Sequence, residues 1–287
     1  MRIFNTEKEY RSHPAISQSA LGYLDQHPKF YFYKVYSKNK KEENKSYFRL
    51  GSAVDTYLTD PSEFHNQFVK ATGYCPTEKM GALCMAFHKY RFKHKLSYED
   101  SFLMAYQDSG YKTSTKVIRE KFDGKVIQNY VKELASSEGK TLLSEEEYST
   151  VKKIATQLKD SKHTREYFSP EYQSEDKEYL YQFPLLFRCE GKECKGLLDL
   201  LILDHKNKTA QIVDLKTTGK SNLSFPKSFI QFRYYIQAAF YTLGLKQFLN
   251  TSQMKLGRDF SDYSIINFMF VVAETNTYNL PLIYHTT

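Results

Sequence analysis

Two charges interrupt an apolar stretch of the chain at "IVDLKTTGK", residues 212–220. Asp214 and Lys216 lie on either side of Leu215, directly after an isoleucine and a valine. Such a run is typical of a buried strand, and an unpaired charge in a protein interior costs several kcal/mol. Because side chains alternate along a strand, Asp214 and Lys216 project from the same face. The spacing therefore predicts a carboxylate and an ammonium that are held together to do chemistry.

A second carboxylate, Asp199, lies in the preceding apolar run, "GLLDLLILD". The polar turn "HKNKT" joins this run to "AQIVDLK", which predicts an antiparallel hairpin. If the turn is centred between Lys206 and Asn207, Asp199 faces Asp214 with the two Cβ atoms roughly 4.5–5.5 Å apart, whereas a register slip of one residue would move the pairing. Two carboxylates that close repel and desolvate each other unless a cation lies between them, and a hard divalent ion is the simplest such cation.

Together, these residues predict metal-dependent hydrolysis of a phosphodiester. An ammonium beside two metal-bound carboxylates can orient an attacking water, or stabilise charge that develops on a phosphoryl oxygen. Lys216 is placed for either role. The structural alternative is a buried ion pair between Asp214 and Lys216, which leaves Asp199 unexplained.

The next element is predicted to be one amphipathic helix over "SFPKSFIQFRYYIQAAFYTLGL", ending near Gly244. Its apolar side chains at spacings of three and four form a stripe facing the core, namely Phe229, Phe232, Ile236, Phe240 and Leu243. Arg233, Gln237 and Tyr241 recur every four residues on another face. These three side chains can donate hydrogen bonds, and Arg233 adds charge, as contacts to a phosphate backbone require. An ordinary polar helix face is the alternative.

The composition favours a polyanionic partner. The net charge is +8 and the sequence pI is near 9.0, although charge alone does not separate nucleic acid from acidic lipid. The apolar stretches fall short of the roughly 18–20 residues of a membrane span. Because "MRIFNTEKEYRSHP" also lacks the apolar run of a signal peptide, we expect a cytoplasmic protein without membrane contacts. The 4 cysteines have neither zinc-site nor iron–sulfur spacing, so we expect reduced thiols.

The pattern of the chain changes near residue 170. Residues 1–170 predict mainly helices, including one capped by Ser17 and one that opens on a capping box of Ser144 and Glu147. Residues 171–287 predict a mixed sheet, the helix above and a closing hairpin of "YSIINFMFVVAET" and "YNLPLIYH". This order indicates an α/β (or α+β) fold with an N-terminal helical region.

One segment of the helical part, "FHKYRFKHK" at residues 87–95, alternates aromatic and basic side chains. This alternation suits stacking on bases combined with contacts to phosphates. Lys89 and Arg91 are therefore candidate contacts to nucleic acid, and a solvated helix face is the alternative.

An ordered series of motifs resembles the PD-(D/E)XK nucleases. Among these, it is most similar to the phage-type exonucleases similar to exonuclease VIII (RecE), and more distantly to the RecB nuclease domain. The series, which covers most of the chain, is "ISQSALGYLDQHPKFY", "FRLGSAVDTYLTDPSEFHNQF", "GLLDLLI", "IVDLKTT", "SFIQFRYYIQAAFY" and "NFMFVVAET". Its most specific part is "DLKTT" followed at this distance by Gln-x-x-x-Tyr. The resemblance implies a restriction-endonuclease-like core, with a mixed central sheet flanked by helices. It further implies one exonuclease domain over 1–287, in which residues 1–170 shape a DNA channel and residues 171–287 form the catalytic sheet.

The resemblance also implies roles for individual residues. The catalytic set that it implies is Asp199, Asp214, Lys216, Gln237 and Tyr241. Asp199 and Asp214 would bind Mg²⁺ or Mn²⁺, with the backbone carbonyl of Leu215 as a further ligand. Gln237 and Tyr241 match the family's Gln-x-x-x-Tyr, near the active site and the DNA, and Arg233 would hold the DNA backbone.

Two further metal ligands are suggested by the family pattern. A glutamate upstream of the first site strand often joins the site, which makes Glu178 a candidate and Glu175 the next choice. At a position where RecB-like and RecE-like members usually carry histidine, this chain has Asp55. A carboxylate can still hold Mg²⁺, so Asp55 is also a candidate.

The activity implied is that of a Mg²⁺-dependent deoxyribonuclease that resects the ends of linear double-stranded DNA during phage-type recombination, in a bacterium or a phage-infected cell. A ring-shaped homo-oligomer and a single-strand annealing protein are implied as partners. Two alternatives remain open. One is a nuclease-fold protein that binds DNA without cutting it, with Asp55 as the sign of a lost metal site. The other is a PD-(D/E)XK endonuclease.

Overall fold

The computed structural model describes residues 7–37, 46–76, 78–251, 259–277 and 279–286. Its α-helices are α1 (Glu7–Ser12), α2 (Gln18–Gln26), α3 (Pro28–Tyr36), α4 (Ser46–Thr59), α5 (Pro61–Gln67), α6 (Glu78–His88), α7 (Tyr98–Ser109), α8 (Thr115–Phe122), α9 (Lys125–Ser136), α10 (Glu145–Asp160), α11 (Arg165–Phe168), α12 (Phe225–Gln231) and α13 (Tyr234–Thr251). Its strands are β1 (Ile16–Ser17), β2 (Phe68–Lys70), β3 (Thr141–Leu143), β4 (Lys177–Cys189), β5 (Lys192–Asp204), β6 (Thr209–Thr218), β7 (Ser264–Ile265), β8 (Met269–Glu274) and β9 (Leu282–His285). The described helices include none with the length and apolar character needed to cross a bilayer.

The central sheet is mixed, in the order β1-β5-β6-β8-β9, with β4 on the other edge of β5 and β7 beside β6. The pairs β4–β5, β5–β6 and β8–β9 are antiparallel, whereas β6 runs parallel to β8. The predicted closing hairpin is therefore confirmed, and so is the predicted α/β fold with a mixed central sheet flanked by helices.

The chain divides into two compact units, residues 1–43 with 154–287, and residues 44–153. This division differs from the predicted boundary near residue 170. The N-terminal elements β1 and α2 join the sheet unit, because Ile16 pairs with Cys194 in β5 and α2 contacts α13. The helical part of the chain is thus shared between the two units, and its predicted role in shaping a DNA channel stays a prediction.

The core of the sheet unit lies between the strands and α13. Buried residues of β4, β5 and α13 form one cluster, which includes Leu185, Phe187, Leu198, Leu201, Phe240, Leu245 and Phe248. At Gly244, an added Cβ would lie 2.7 Å from the Phe187 ring. Because glycine has no side chain, α13 approaches β4 closely at this point, which fixes the height of the helix above the sheet.

The prediction of a single helix within residues 224–245 is wrong. The helix is broken between α12 and α13 at Arg233, whose φ of 57° lies in the left-handed region. The predicted core stripe fails at the same point, since Phe232 is 54% exposed. Leu243 is also partly exposed, while Phe240 is buried as expected. Gln237 and Tyr241 remain one turn apart on α13.

The second unit consists of α4 to α9, the parallel pair β2–β3 and the first half of α10. Its core is aromatic, with Phe87, Phe102 and Phe122 in mutual contact or in contact with Tyr98. The predicted capping box of α10 is confirmed: Glu147 N donates to Ser144 Oγ at 3.1 Å, and Ser144 N donates to Glu147 Oε2 at 2.9 Å.

One further prediction agrees with the structure. Ser17 caps α2 by accepting a hydrogen bond from Ala20 N at 3.4 Å. The structure joins none of the cysteines in a disulfide, and their reduced state stays a prediction.

Candidate active site

The candidate active site lies where β5 and β6 separate. Their antiparallel register pairs Leu200 with Val213, and the next opposed residues along it are Asp199 and Asp214. The predicted register is therefore confirmed, but the ladder ends before the aspartates. Beyond this point β6 keeps its pairing with β8, on its other edge, as far as Thr218. Asp199 lies in the part of β5 between the residues that pair with β1 and those that pair with β6. The gap between the two strands leaves room for the carboxylates.

Asp199 replaces the missing ladder partner of β6. Its Oδ2 accepts a hydrogen bond from Leu215 N at 2.8 Å. In an extended strand, the N–H and the C=O of one residue point toward the same neighbouring strand. The Leu215 carbonyl is thus directed to the side on which Asp199 lies.

The strand on the other edge of β5 is also irregular at this level. In the β4–β5 ladder, Tyr181 pairs with Leu200 and Phe183 with Leu198, so Gln182 stands across from Asp199. Gln182 has a φ of 50° and is not part of the ladder. A local interruption of this kind re-aims side chains, and such interruptions are common next to active sites. Sequence reasoning missed it, because glutamine in a strand gives no sign of a left-handed backbone.

Asp214 is buried, with 2% of its surface exposed. Its Oδ2 accepts a hydrogen bond from Lys216 Nζ, and its Oδ1 accepts one from Gln237 Nε2 at 2.5 Å. Burial raises the pKa of the Asp214 carboxyl above its usual value, against the opposing effects of Lys216 and Gln237. Both oxygens of this carboxylate are therefore fixed in direction by neighbouring donors.

Lys216 lies between the carboxylates and two aromatic rings. Its Nζ is 5.0 Å from the ring centroid of Tyr234 and 5.8 Å from that of Phe270. Burial alone would lower the pKa of this ammonium, but the charges of Asp214 and Asp199 more than offset that effect, so its pKa lies above the usual 10.5. Lys216 is thus a cation throughout the neutral pH range. The rings of Tyr234 and Phe270 attract its ammonium group.

Tyr241 packs directly on β5. A Cβ added to Gly196 would lie 3.2 Å from two atoms of the Tyr241 ring, so the glycine allows the ring to approach the strand. Burial raises the pKa of the Tyr241 hydroxyl well above 10.0, and the charges of Tyr10, Asp214 and Asp199 act in the same direction. The hydroxyl therefore stays protonated and can act as a hydrogen-bond donor beside the carboxylates.

A buried lysine that sequence reasoning missed, Lys195, brings Tyr10 to this region. Lys195 Nζ donates to the backbone carbonyls of Tyr10 at 2.6 Å, Arg11 at 3.2 Å and His13 at 2.8 Å. It satisfies the carbonyls at the C-terminal end of α1, which the helix itself leaves without partners. The sequence holds little signal for it, because Lys195 precedes the apolar run of β5 and lies close to Lys192 and Glu193. Its partners, more than 180 residues away, could not be read from the pattern.

The donor set suits a hard divalent cation. Asp199 and Asp214 together carry two negative charges when ionised, and Lys216 neutralises one of them. Carboxylate and carbonyl oxygens are the ligands that Mg²⁺ prefers. Within the described ranges, no group of three or more histidine, cysteine, aspartate or glutamate side chains converges on one point. A metal would therefore be held by the two aspartates, with backbone oxygen and water completing its coordination.

One predicted metal ligand, Glu178, is not brought to this place. Glu178 pairs with Leu203, four residues along β4 from Gln182 and so roughly 13 Å away. Its carboxylate lies 3.5 Å from His205 Nε2, at the turn end of the hairpin. The prediction that Glu178 binds the same metal as Asp199 is wrong, because the β4–β5 register places Glu178 opposite Leu203, at the turn end of the hairpin.

Arg233 does not share the helix face on which it was predicted. It lies at the break between α12 and α13, outside the helix face that carries Gln237 and Tyr241. Its Nη1 forms an ion pair with Asp25 of α2. The pairing occupies the guanidinium in this structure, and a contact from Arg233 to DNA stays a prediction.

The remaining predicted residues belong to the second unit. Lys89 and Arg91 are exposed on a single π-helical turn, Lys89–Lys93, where Arg91 Nη1 donates to the carbonyl of Leu96 at 2.8 Å. Asp55 lies in α4, and its backbone carbonyl accepts a hydrogen bond from Thr59 Oγ1 at 2.9 Å. The roles of these residues in binding DNA and metal stay predictions.

Comparisons with known proteins give a family. The family model described as "PDDEXK-like domain of unknown function (DUF3799)" matches residues 17–279. Among solved structures, the chain is similar to the crystal structure of a "Putative exonuclease" from Eubacterium rectale, with 14% sequence identity and a TM-score of 0.48, over 99% of this chain and 79% of that chain. No protein of curated function matches the chain.

The family match includes both strands of the site and the helix that covers them. It therefore extends over Asp199, Asp214, Lys216 and Gln237. The chain belongs to the PDDEXK-like DUF3799 family, within the PD-(D/E)XK nuclease superfamily.

Proposed function

We propose that this protein is a Mg²⁺-dependent deoxyribonuclease that degrades linear double-stranded DNA from its ends. The observation that carries the proposal is the arrangement at the separation of β5 and β6. There, Asp199 and Asp214 come together at the end of a hairpin ladder, and Lys216 hydrogen-bonds to Asp214. The family match supports a nuclease, since the matching domain is described as PDDEXK-like.

The metal would be held by Asp199 and Asp214, with the carbonyl of Leu215 as a further ligand. When bound, Mg²⁺ (or Mn²⁺) supplies Lewis-acid activation of the phosphodiester and of the attacking water. The protein fixes the direction of the ligands. Gln237 and Lys216 hold the two oxygens of Asp214, and the amide of Leu215 holds Asp199.

Lys216 has a second task beside its hydrogen bond to Asp214. Its ammonium lies between two carboxylates and the Tyr234 ring, so it can orient water or stabilise charge on a phosphoryl oxygen of the substrate. Tyr241 is protonated and close to both aspartates, which makes it a hydrogen-bond donor for the same phosphate. Both groups are positioned before any substrate arrives, and such preorganisation is a main source of catalytic power.

The choice of an exonuclease, and of recombination as its setting, rests on the resemblance of the motif series to RecE-like enzymes. The basic net charge of +8 supports DNA as the substrate. Lys89 and Arg91 are exposed cations in the second unit and are proposed as further DNA contacts. A ring-shaped homo-oligomer and a single-strand annealing partner are proposed on the same resemblance.

The test is digestion of an end-labelled linear duplex and of a closed circular DNA, with Mg²⁺ or EDTA, by the wild type and by Asp214→Ala. We expect loss of the linear DNA alone, only with Mg²⁺ and only with the wild type. Opening of the circle would make the protein an endonuclease. If the wild type shifts both DNAs in a gel yet cuts neither, the proposal is wrong and the protein is a DNA-binding member of the family.

A further inference from the structure

Helix α3 carries a cluster of three aromatic rings, the half-buried Tyr31 and the exposed Phe32 and Tyr36, which we call the α3 ring cluster. Each pair of these rings has its centroids 5.7 Å apart. Phe32 is 62% exposed and Tyr36 is 65% exposed. The helix has no buried residue. An aromatic side chain that packs in a core buries most of its surface. The exposed rings of α3 therefore contribute little to the core.

The helix is anchored at its beginning. Phe30 contacts Tyr23 of α2 edge to face, with the ring centroids 5.4 Å apart, and the side chain of His27 accepts a hydrogen bond from Lys29 N at 3.0 Å. These contacts fix α3 against α2 and direct the ring cluster outward. The exposed rings are thus presented by an ordered helix.

The charges on α3 select among partners. Between Pro28 and Tyr36 the sequence "PKFYFYKVY" has two lysines and no acidic residue. Lys29 is exposed, and Lys34 Nζ lies 5.4 Å from the centroid of the Phe30 ring. Cations interleaved with flat rings are the combination that holds single-stranded nucleic acid, because the rings stack on unpaired bases while the cations meet phosphates. A duplex does not offer its base faces in this way.

The ring cluster belongs to the same unit as the candidate active site. Asp25, near the end of α2, pairs with Arg233, and Arg233 directly precedes Tyr234, whose ring lies 5.0 Å from Lys216 Nζ. Helix α3 begins three residues after Asp25 and its 9 residues span only about 13 Å. These contacts connect the beginning of α3 to the candidate active site within one unit.

We propose that the α3 ring cluster is a stacking site for the unpaired bases of a nucleic-acid strand. The proposal rests on the proposed nuclease function for its biological sense, but the binding it describes does not require cleavage. Phe32 and Tyr36 supply the base-stacking faces. Lys29 and Lys34 supply the charge next to them.

The test compares two fluorescein-labelled oligonucleotides of equal length, one of thymidylate and one abasic, which have the same number of phosphates. Binding is measured by fluorescence anisotropy in EDTA, so that no DNA is cut. We expect the wild type to bind the thymidylate strand about 10-fold more tightly or better, as stacking on rings predicts. In Phe32→Leu/Tyr36→Leu, which keeps apolar bulk but removes the ring faces, this preference should fall below about 3-fold while the affinity for the abasic strand is unchanged.

Two control proteins sharpen the result. The ring-retaining variant Phe32→Tyr/Tyr36→Phe should keep the preference for bases. Tyr172→Leu, which removes another exposed ring of the same unit, should also keep it. The proposal is overturned if the wild type shows no preference for bases or if the leucine variant retains it. It is also overturned if the leucine variant changes the oligomeric state in light scattering, or if it removes binding to anionic lipid vesicles, since the surface would then serve a second copy or a membrane.

These outcomes are independent of the nuclease test. If bases are preferred through α3 but Mg²⁺ does not support digestion, the proposed function fails and the stacking site stands. If digestion proceeds and the preference for bases is unaffected by the leucine substitutions, the stacking site fails alone.

Discussion

Replacement of Gln237 by leucine tests how far the orientation of Asp214 controls catalysis. Gln237 Nε2 is one of two side-chain donors that hold this buried carboxylate, and leucine removes the donor with little change in volume. A hydrogen bond to a charged group contributes about 1.5–3 kcal/mol. If the Asp214 carboxylate must be oriented to bind metal, this free energy is lost from the stabilisation of the transition state. We therefore expect kcat to fall roughly 10- to 150-fold.

The assay is the initial rate of nucleotide release from a linear duplex at several Mg²⁺ and DNA concentrations, with urea unfolding measured in parallel. We expect kcat and the apparent affinity for Mg²⁺ to fall, with a smaller change in KM for DNA. The matched control is Gln247→Leu, the same substitution on the same helix. Gln247 hydrogen-bonds to the backbone of Arg188 at 3.0 and 2.5 Å, and it lies ten residues, about 15 Å, from Gln237.

The control should leave kcat within about 2-fold of the wild type, since its hydrogen bonds to the neutral backbone of Arg188 lie away from the site. Equal kcat values for the two variants would refute the reasoning. So would a Gln237→Leu enzyme that is as active as the wild type, because the contact with Asp214 would then have no catalytic role.

Three further predictions concern the scaffold of the site. In Gly244→Ala, the new Cβ would lie 2.7 Å from the Phe187 ring, so overpacking should lower the free energy of unfolding by about 1–3 kcal/mol in urea, whereas Ala239→Gly on the same helix should lower it by no more than about 1 kcal/mol. In Lys195→Met, the end of α1 loses three hydrogen bonds, and amide hydrogen exchange should become faster in residues 7–17 but not in β6. Hydrogen bonds from Asn222 N and the Asn279 side chain hold the pKa of the Glu274 carboxyl below 4.5, although burial by itself would raise it. Because the folded pKa is the lower one, this stabilisation is present above about pH 4.5 and is lost as the pH falls through the folded pKa, so Glu274→Gln should show a smaller loss of melting temperature between pH 6 and pH 3 than the wild type.

The pairing at the centre of the site was predictable because it depends on local geometry. The turn between β5 and β6 is short and polar, so its centre sets the register of both strands, and the register places Asp199 opposite Asp214. The spacing of Asp214 and Lys216 fixes a shared face in the same way. The capping box at Ser144 was predictable for the same reason, since its partners are three residues apart.

The features that sequence reasoning missed depend on contacts between distant segments. Lys195 binds carbonyls of α1, and Arg233 pairs with Asp25 across more than 200 residues. The left-handed backbone at Arg233 breaks a helix that the apolar spacing alone would continue. Glu178 was chosen from a family pattern, but its register along β4 carries it to the far end of the hairpin.

The most direct test of the account is the rate of nucleotide release from a linear duplex in Mg²⁺ by the wild type, Asp199→Asn, Asp214→Asn and Asp204→Asn. Asp204 is a buried aspartate of the same strand as Asp199, and it caps the turn through Asn207 instead of facing the site. The account predicts that the wild type and Asp204→Asn release nucleotides at comparable rates, and that each of the other two variants is slower by more than about 100-fold while remaining folded. Release by Asp199→Asn or Asp214→Asn at the wild-type rate would contradict the assignment of the active site to the separation of β5 and β6.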